Sequence, residues 1–253
     1  MQKNSDMKTI VIFFALEMES GCFEDTLSAT RRTQADGFHI TLGKLGDDEQ
    51  REIYVVRTGV GAENARRAAA AVLQAHRPDY AISAGFAGAL IPDFKKSDLF
   101  FPSEVCDEVC RLITLDLFPE AVLKTRAAQK NAVLGGRLLT FPGVVQNAQE
   151  KEHCAREFGA KAVDMETYAL AEICQERGVP LYCVRAISDS LSQEIPKDIQ
   201  KLMNQKTFMA QLGAAVRTAI KRPGSVLEMA KLREDALAAA MRLADILKVM
   251  SEK

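Results

Sequence analysis

Histidine is scarce in this sequence. His39, His76 and His153 stand singly, without metal-ligand spacing and without a partnered serine. A metal centre and a Ser/His/Asp or Cys/His nucleophile therefore have no support. Paired cysteines are also lacking. Six cysteines, at 22, 106, 110, 154, 174 and 183, form no CxxC motif in a chain of 253 residues, and they read as reduced thiols of a cytoplasmic protein. Cys106 and Cys110 are four apart but have no further His or Cys to complete a metal site. Charge of one sign is missing too. Lys and Arg number 33 against 34 Asp and Glu, for a net charge of −1, so nothing draws the chain to nucleic acid or an anionic membrane. No apolar run approaches the roughly 18–20 residues of a bilayer span, so stable membrane insertion is not expected. The opening "MQKNSDMKTIVIFFALEMES" places Lys3 and Lys8 before a short apolar run. That run ends in Glu17 and Glu19 with no small-residue cleavage site, and it reads as a first strand rather than a signal peptide. A phosphate-binding P-loop is absent and GxGxxG is incomplete. No internal repeat or low-complexity tract stands out.

What is present is globular: 47% hydrophobic and 26% charged residues, a length one α/β domain can fill. Strand and helix patterns alternate, the mark of a sheet covered on both faces. Buried strands are predicted over 9–16, 80–83, 97–106, 137–143 and 180–187, with a strand pair at 38–45 and 52–59. Helical spacing appears over 62–76, 119–131, 148–158, 166–177 and 197–222. Pro223-Gly224 then breaks the chain before a clean apolar stripe over 225–250. The expected organisation is one α/β domain over 1–222 and a C-terminal helical extension over 223–253, packed on the domain or on a partner subunit.

Four strand ends carry the chemistry. "TGVGAENA" (58–65) puts Gly59 and Gly61 between a strand and a helix. Its backbone N–H groups either approach a ligand beside the positive helix end, or the glycines simply permit a tight turn. "SAGFAGAL" (83–90) offers Gly85 and Gly88 at the end of a central strand, where ligands gather in open α/β sheets. Glu19 follows the first strand, as a site carboxylate or a helix cap, and Asp189 follows the last. The stretch "AVDMETYALAEICQERGVPLYCVRAISD" (162–189) reads as buried helix and strand, yet it carries Asp164, Glu166, Arg185 and Asp189 at its two ends.

"TGVGAENA", "ISAGFAGAL", "AVDMETYALAEICQERGVP" and "VRAISD", in this order, resemble the nucleoside phosphorylase/nucleosidase superfamily, most of all its 5′-methylthioadenosine/S-adenosylhomocysteine nucleosidases and related bacterial nucleosidases. The resemblance runs from about residue 8 to 219, and the "DMET…RAISD" pair is its specific part. It implies a three-layer α/β/α domain with a mixed central sheet and a reaction that breaks the bond between ribose and purine. Asp189 matches the acid that protonates the purine at N7, a role calling for a pKa raised by burial. Glu166 matches the glutamate that holds the ribose hydroxyls, with Met165 under the sugar. Glu19 falls where nucleosidases keep the base that activates water. Phosphorylases instead bind phosphate through Arg and Thr, and here Ser83 and Phe86 stand at the second such position. Arg185 is placed to orient water or to neutralise Glu19.

Two departures bear on the substrate. Phe86 replaces a usual serine, so with Gly85 it would line the purine or sugar pocket, and Ser188 becomes the group to support the acid. Gly143 replaces an aspartate in "TFPGVVQNAQ", leaving Val145 and Gln146 as the base neighbours. The tail resembles that of members linked to hopanoid synthesis, which act on an adenosylated lipid precursor; the plain alternative is an amphipathic helix packed on the domain or a partner subunit. The resemblance implies a purine nucleosidase for a 5′-methylthioadenosine- or S-adenosylhomocysteine-like substrate, without metal or cofactor, as a homodimer or higher homo-oligomer. The alternatives are a purine nucleoside phosphorylase, with phosphate as second substrate, a nucleosidase for adenosylated lipid precursors, and a non-catalytic nucleoside- or lipid-binding module.

Overall fold

The run KTIVIFF becomes strand β1 (Lys8–Phe14), buried at every residue after Lys8. The computed structural model describes residues 8–35, 37–46, 51–125, 131–193 and 223–252. After β1 come α1 (Glu17–Glu24), β2 (Leu27–Ala35), β3 (Phe38–Leu45), β4 (Arg51–Arg57), α2 (Ala62–His76) and β5 (Tyr80–Ala89). The middle of the chain holds β6 (Leu99–Phe101), β7 (Glu104–Cys106), β8 (Leu112–Thr114), α3 (Glu120–Leu123), β9 (Ala132–Leu134) and β10 (Arg137–Thr140). Then follow α4 (Ala148–Phe158), β11 (Ala160–Asp164), α5 (Thr167–Arg177), β12 (Leu181–Asp189) and α6 (Pro223–Glu252).

The strands form one mixed sheet in the order β2-β3-β4-β1-β5-β11-β10-β7-β8, with β12 paired to β5 and β6, and β9 paired to β6. β1 runs parallel to both β4 and β5. Enclosed in this way, it reads in sequence as an unbroken apolar run rather than an alternation. Its side chains nevertheless divide. Val11 and Phe13 join the core beneath α2 and α5, with Ala65, Ala69 and Val72 of α2 and Leu170 of α5. Ile10, Ile12 and Phe14 face the opposite way, against Phe23 of α1 and Leu243, Ala244, Leu247 and Met250 of α6. Two helical layers on one sheet give the expected α/β/α arrangement.

β5 is the hub. Its first half pairs with β1, its last two residues meet β11 in antiparallel fashion, and β12 lies parallel along it. The C-terminal helix packs back on its own chain. Tyr80 donates its hydroxyl to Met250 O at 3.3 Å, and Arg51 donates to Ser251 O. Among the described residues no helix is long and apolar enough to cross a membrane.

Several expected boundaries change. The strand predicted over 97–106 is two strands, because Pro102 has no backbone N–H to continue the ladder. β6 pairs with β12 and β9, whereas β7 pairs with β10 and β8. The helix predicted over 119–131 is only α3 where described. Thr125 bonds its hydroxyl back to Val122 O at 2.7 Å, the local competition that ends helices, and 126–130 lie outside the described residues. β2 had no apolar alternation to announce it. It is an exposed edge strand bearing Arg31 and Arg32, charges that discourage further pairing. The helix predicted over 197–222 lies outside the described residues.

Leu243 is fully buried between α6 and the sheet, and Leu237, earlier on the same helix, is 54% exposed. Leu243→Ala is expected to cost about 2–5 kcal/mol through lost burial and a residual cavity. Leu237→Ala should stay within about 0.5 kcal/mol of wild type. Urea titrations read both as shifts in midpoint at constant slope.

Candidate active site

Glu19 sits in the first turn of α1 and reaches back over the helix start. Its Oε2 accepts from Ala15 N at 3.0 Å and Leu16 N at 2.8 Å, N–H groups that no helical partner serves. Its Oε1 accepts from Phe86 N on β5 at 2.8 Å. The carboxylate is thus a helix cap and a crosslink between two strand ends at once. Gly85 makes this approach possible, since a Cβ there would lie 2.8 Å from Oε1. Burial pushes the carboxyl pKa up from its ordinary 4.5, although the N–H donors of Phe86, Leu16 and Ala15 and the charge of Arg185 pull it down.

Glu166 stands at the junction of β11 and α5. Its Oε1 accepts from Gly61 N at 2.7 Å and its Oε2 from Met165 N at 3.3 Å. The TGVG loop does point an N–H at an anion, with Gly61 in a positive-φ conformation (98°) that favours glycine, but the anion is a side chain of the same protein. Low-polarity surroundings push the Glu166 carboxyl up, reinforced by Asp164 and Glu19 and opposed by Gly61 N–H and Arg185. Glu19, Glu166, Gly85, Phe86 and Arg185 line one cleft together with Phe14, Thr58 and Ser83.

Arg185 lies in that wall with all three guanidinium nitrogens hydrogen-bonded. Its Nη2 donates to Asp164 Oδ2 at 2.8 Å and to Ser83 Oγ at 2.7 Å, and its Nε to Asp164 Oδ2 at 3.2 Å. Thr167 Oγ1 and Val184 O are further acceptors. Asp164 accepts from Thr167 N at 3.1 Å at the start of α5. It also takes the guanidinium and accepts from Thr140 Oγ1 at 2.6 Å. The ion partner of Arg185 is therefore Asp164, and Glu19 feels its charge from a second position.

Asp189 belongs to a neighbouring group. The pairing of β12 with β5 runs in step to Ile187↔Ala87 and resumes at Asp189↔Gly88, so Ser188 is an inserted, bulged residue. A strand without the bulge would set Ser188 opposite Gly88; the insertion sets Asp189 there instead. Ser188 Oγ lies 2.6 Å from Asp189 Oδ1 and 3.3 Å from Ala87 O. A Cβ on Gly88 would be 3.2 Å from Asp189 Oδ2, so a side chain there would crowd the acid. The other oxygen is met by a residue the sequence reading passed over. Lys151 of α4, wholly buried, donates from Nζ to Asp189 Oδ2 at 2.5 Å, Ser190 O at 2.7 Å and Gln193 O at 3.0 Å. Burial was expected to ready Asp189 as an acid; the structure adds a cationic donor in contact with it. A signal for Lys151 existed: with Cys154 and Phe158 it occupies the i, i+3, i+7 stripe by which α4 faces the protein.

The remaining expected residues are spread around these groups. Met165 is half-buried beside Glu166. Val145 packs with Leu139, Cys154 and Val163 in a small cluster and is not among the residues lining the cleft. Gln146, half-buried, donates its backbone N–H to Glu150 Oε2 at 2.8 Å at the start of α4. The structure thus joins Glu19, Glu166, Gly85, Phe86 and Arg185 directly. It ties Asp189 and Ser188 to them through residues 85–88 of β5.

A sequence profile of the phosphorylase superfamily matches residues 9–222. A 5′-methylthioadenosine/S-adenosylhomocysteine nucleosidase of Shewanella loihica is 24% identical over 213 residues, covering 77% of this chain and 91% of that protein. A nucleosidase of the same name from Campylobacter jejuni superposes with a TM-score of 0.75 at 17% identity, over 97% of this chain and 99% of that one. Futalosine hydrolase of Helicobacter pylori superposes with a TM-score of 0.73 at 20% identity, over 97% and 98%. At these identities the superpositions establish a shared fold.

The raised Glu166 pKa has a consequence for stability. Below pH 4.5 the group is neutral in both folded and unfolded chains; as pH rises above it, the unfolded chain gains by ionising first, and the folded state loses ground. Glu166→Gln removes that penalty and can keep the bond from Gly61 N. The melting temperature of the variant is expected to match wild type near pH 4.5 and to exceed it increasingly toward pH 8, as read by scanning fluorimetry across buffers.

Proposed function

The chain belongs to the phosphorylase superfamily, and from that premise we propose that it is a purine nucleosidase, hydrolysing the N-glycosidic bond of an adenosine-type nucleoside to free base and ribosyl product. The observation that carries this reading is the charge of the cleft. Two carboxylates, Glu19 and Glu166, face it, and the arginine in its wall is bonded to Asp164. A phosphate anion entering there would meet the Glu19 carboxylate without a free cation from Arg185 to offset the repulsion. A neutral water would not, and water is the nucleophile the arrangement favours. The name of the Shewanella relative supports a 5′-substituted adenosine as the substrate class.

In this reading the base departs with the electron pair of the C1′–N9 bond and takes a proton at N7 from Asp189. The oxygen of water bonds to C1′, and its proton passes to Glu19. Burial makes Glu19 a better proton acceptor than an exposed carboxylate, because a raised pKa strengthens the conjugate base. Each oxygen of the Glu166 carboxyl group accepts one N–H and has a second lone pair, so Glu166 can receive ribose hydroxyls while holding Gly61. As positive charge builds on the sugar it favours the ionised form of this carboxyl group, and the two then stabilise each other in the transition state. We also infer a cytoplasmic homodimer or higher homo-oligomer; all six cysteines are free, which supports a reducing compartment.

A panel of purine nucleosides, including 5′-methylthioadenosine, S-adenosylhomocysteine and adenosine with a long apolar 5′ substituent, assayed with and without phosphate, tests the reaction. Free base is expected at a rate independent of phosphate. Glu19→Gln and Asp189→Asn are each expected to lower kcat/KM by about 10²–10⁴. Ribose 1-phosphate formed only when phosphate is supplied would identify a phosphorylase instead. Binding without turnover, unchanged in Asp189→Asn, would identify a non-catalytic module.

A further inference from the structure

The steps above leave Lys151 without a part, although it is wholly buried and in contact with the acid. An ammonium taken out of water must recover its hydration from hydrogen bonds and an opposite charge. Lys151 does so with all three of its hydrogens, two on the carbonyls of Ser190 and Gln193 and one on Asp189 Oδ2. An anchor for two carbonyls needs no charge; a neutral donor would serve. Among the described residues the one carboxylate paired with that charge is Asp189. On its other oxygen, Asp189 meets Ser188 Oγ, a hydroxyl with a single hydrogen that also lies within reach of Ala87 O.

We propose that Lys151 is a positioning residue for proton delivery: it holds Asp189 on the bulged end of β12 and supplies, through that carboxylate, the proton the departing base takes. The inference rests on the nucleosidase reading. As the C1′–N9 pair moves onto the base, the Lys151 ammonium gives a proton to the Asp189 carboxylate it faces while Asp189 passes one to N7, so Asp189 ends as it began. Water supplies its oxygen to C1′ and its proton to Glu19. The products are a neutral base and a neutral ribosyl sugar, with a neutral amine at Lys151 and a protonated Glu19. Exchange with solvent returns one proton from Glu19 to the lysine and completes the cycle.

Two substrates separate this role from a structural one. A purine nucleoside needs a proton on its leaving group, whereas 4-nitrophenyl β-D-ribofuranoside releases a stable anion and needs none. In Lys151→Met, kcat/KM for the purine nucleoside is expected to fall about 100-fold or more, while the nitrophenyl riboside stays within about threefold of wild type. Equal losses on both substrates, or no loss on either, overturn the proposal. If the single variant fails to fold, Lys151→Met/Asp189→Asn removes both charges together and is compared with Asp189→Asn alone. The two are expected to have the same rate on the purine nucleoside, and a further drop of about tenfold in the double variant overturns the coupling. A wild-type chain that releases no purine base overturns the nucleosidase reading and this role with it, whereas wild-type turnover with equal losses overturns only the role of Lys151.

Discussion

The buried pair between Arg185 and Asp164 sets the positions of everything around it. Both side chains are almost wholly out of water, at 3% and 1% exposure. Desolvation of two charges is repaid only if the geometry is good and the remaining donors and acceptors are met. Here they are met by Ser83 on β5, Thr140 on β10 and Thr167 at the head of α5. Five elements therefore have to register on one guanidinium and one carboxylate. Glu166 comes two residues after Asp164 and Asp189 four after Arg185, so both chemical groups hang from the ends of this constraint.

β5 converts that registration into a working surface. Within residues 85–88 it lends an N–H to Glu19, withholds a side chain where Glu19 approaches, and withholds another where Asp189 approaches. The two carboxyl groups meet the same short stretch of backbone but in different company, one among backbone N–H donors and the other against an ammonium. Environments that differ in this way are how one site keeps an acid and a base apart in behaviour.

Much of this was legible in the sequence, and the reasons are physical. The helices over 62–76 and 148–158 have the boundaries their apolar spacing predicts. Glu19, Gly85 and Arg185 stood out because glycines and charges at strand ends are costly without a purpose, whereas Glu166 and Phe86 were picked out by the family resemblance. What stayed hidden depends on pairing across the chain. The exposed strand β2 is held by its neighbour rather than by its own pattern, and the five-residue strand β11 has little room to show a period. The partners of the Asp164 carboxylate come from β10, α5 and β12, and no local spacing announces the set. Lys151 was hidden for another reason: a lysine on an apolar stripe is ordinarily taken as a long side chain reaching out to water, and only the structure reveals that it reaches inward.

The inserted Ser188 separates two demands that a regular strand would fuse. Up to Ile187, β12 must alternate its side chains between two cores, and any slip would expose one of them. One extra residue resets the phase after that obligation ends. The hydrophobic sequence of β12 can then drift under packing alone, while the aim of Asp189 is fixed by local backbone shape. The Asp189 end of the strand can in this way be inherited independently of its interior.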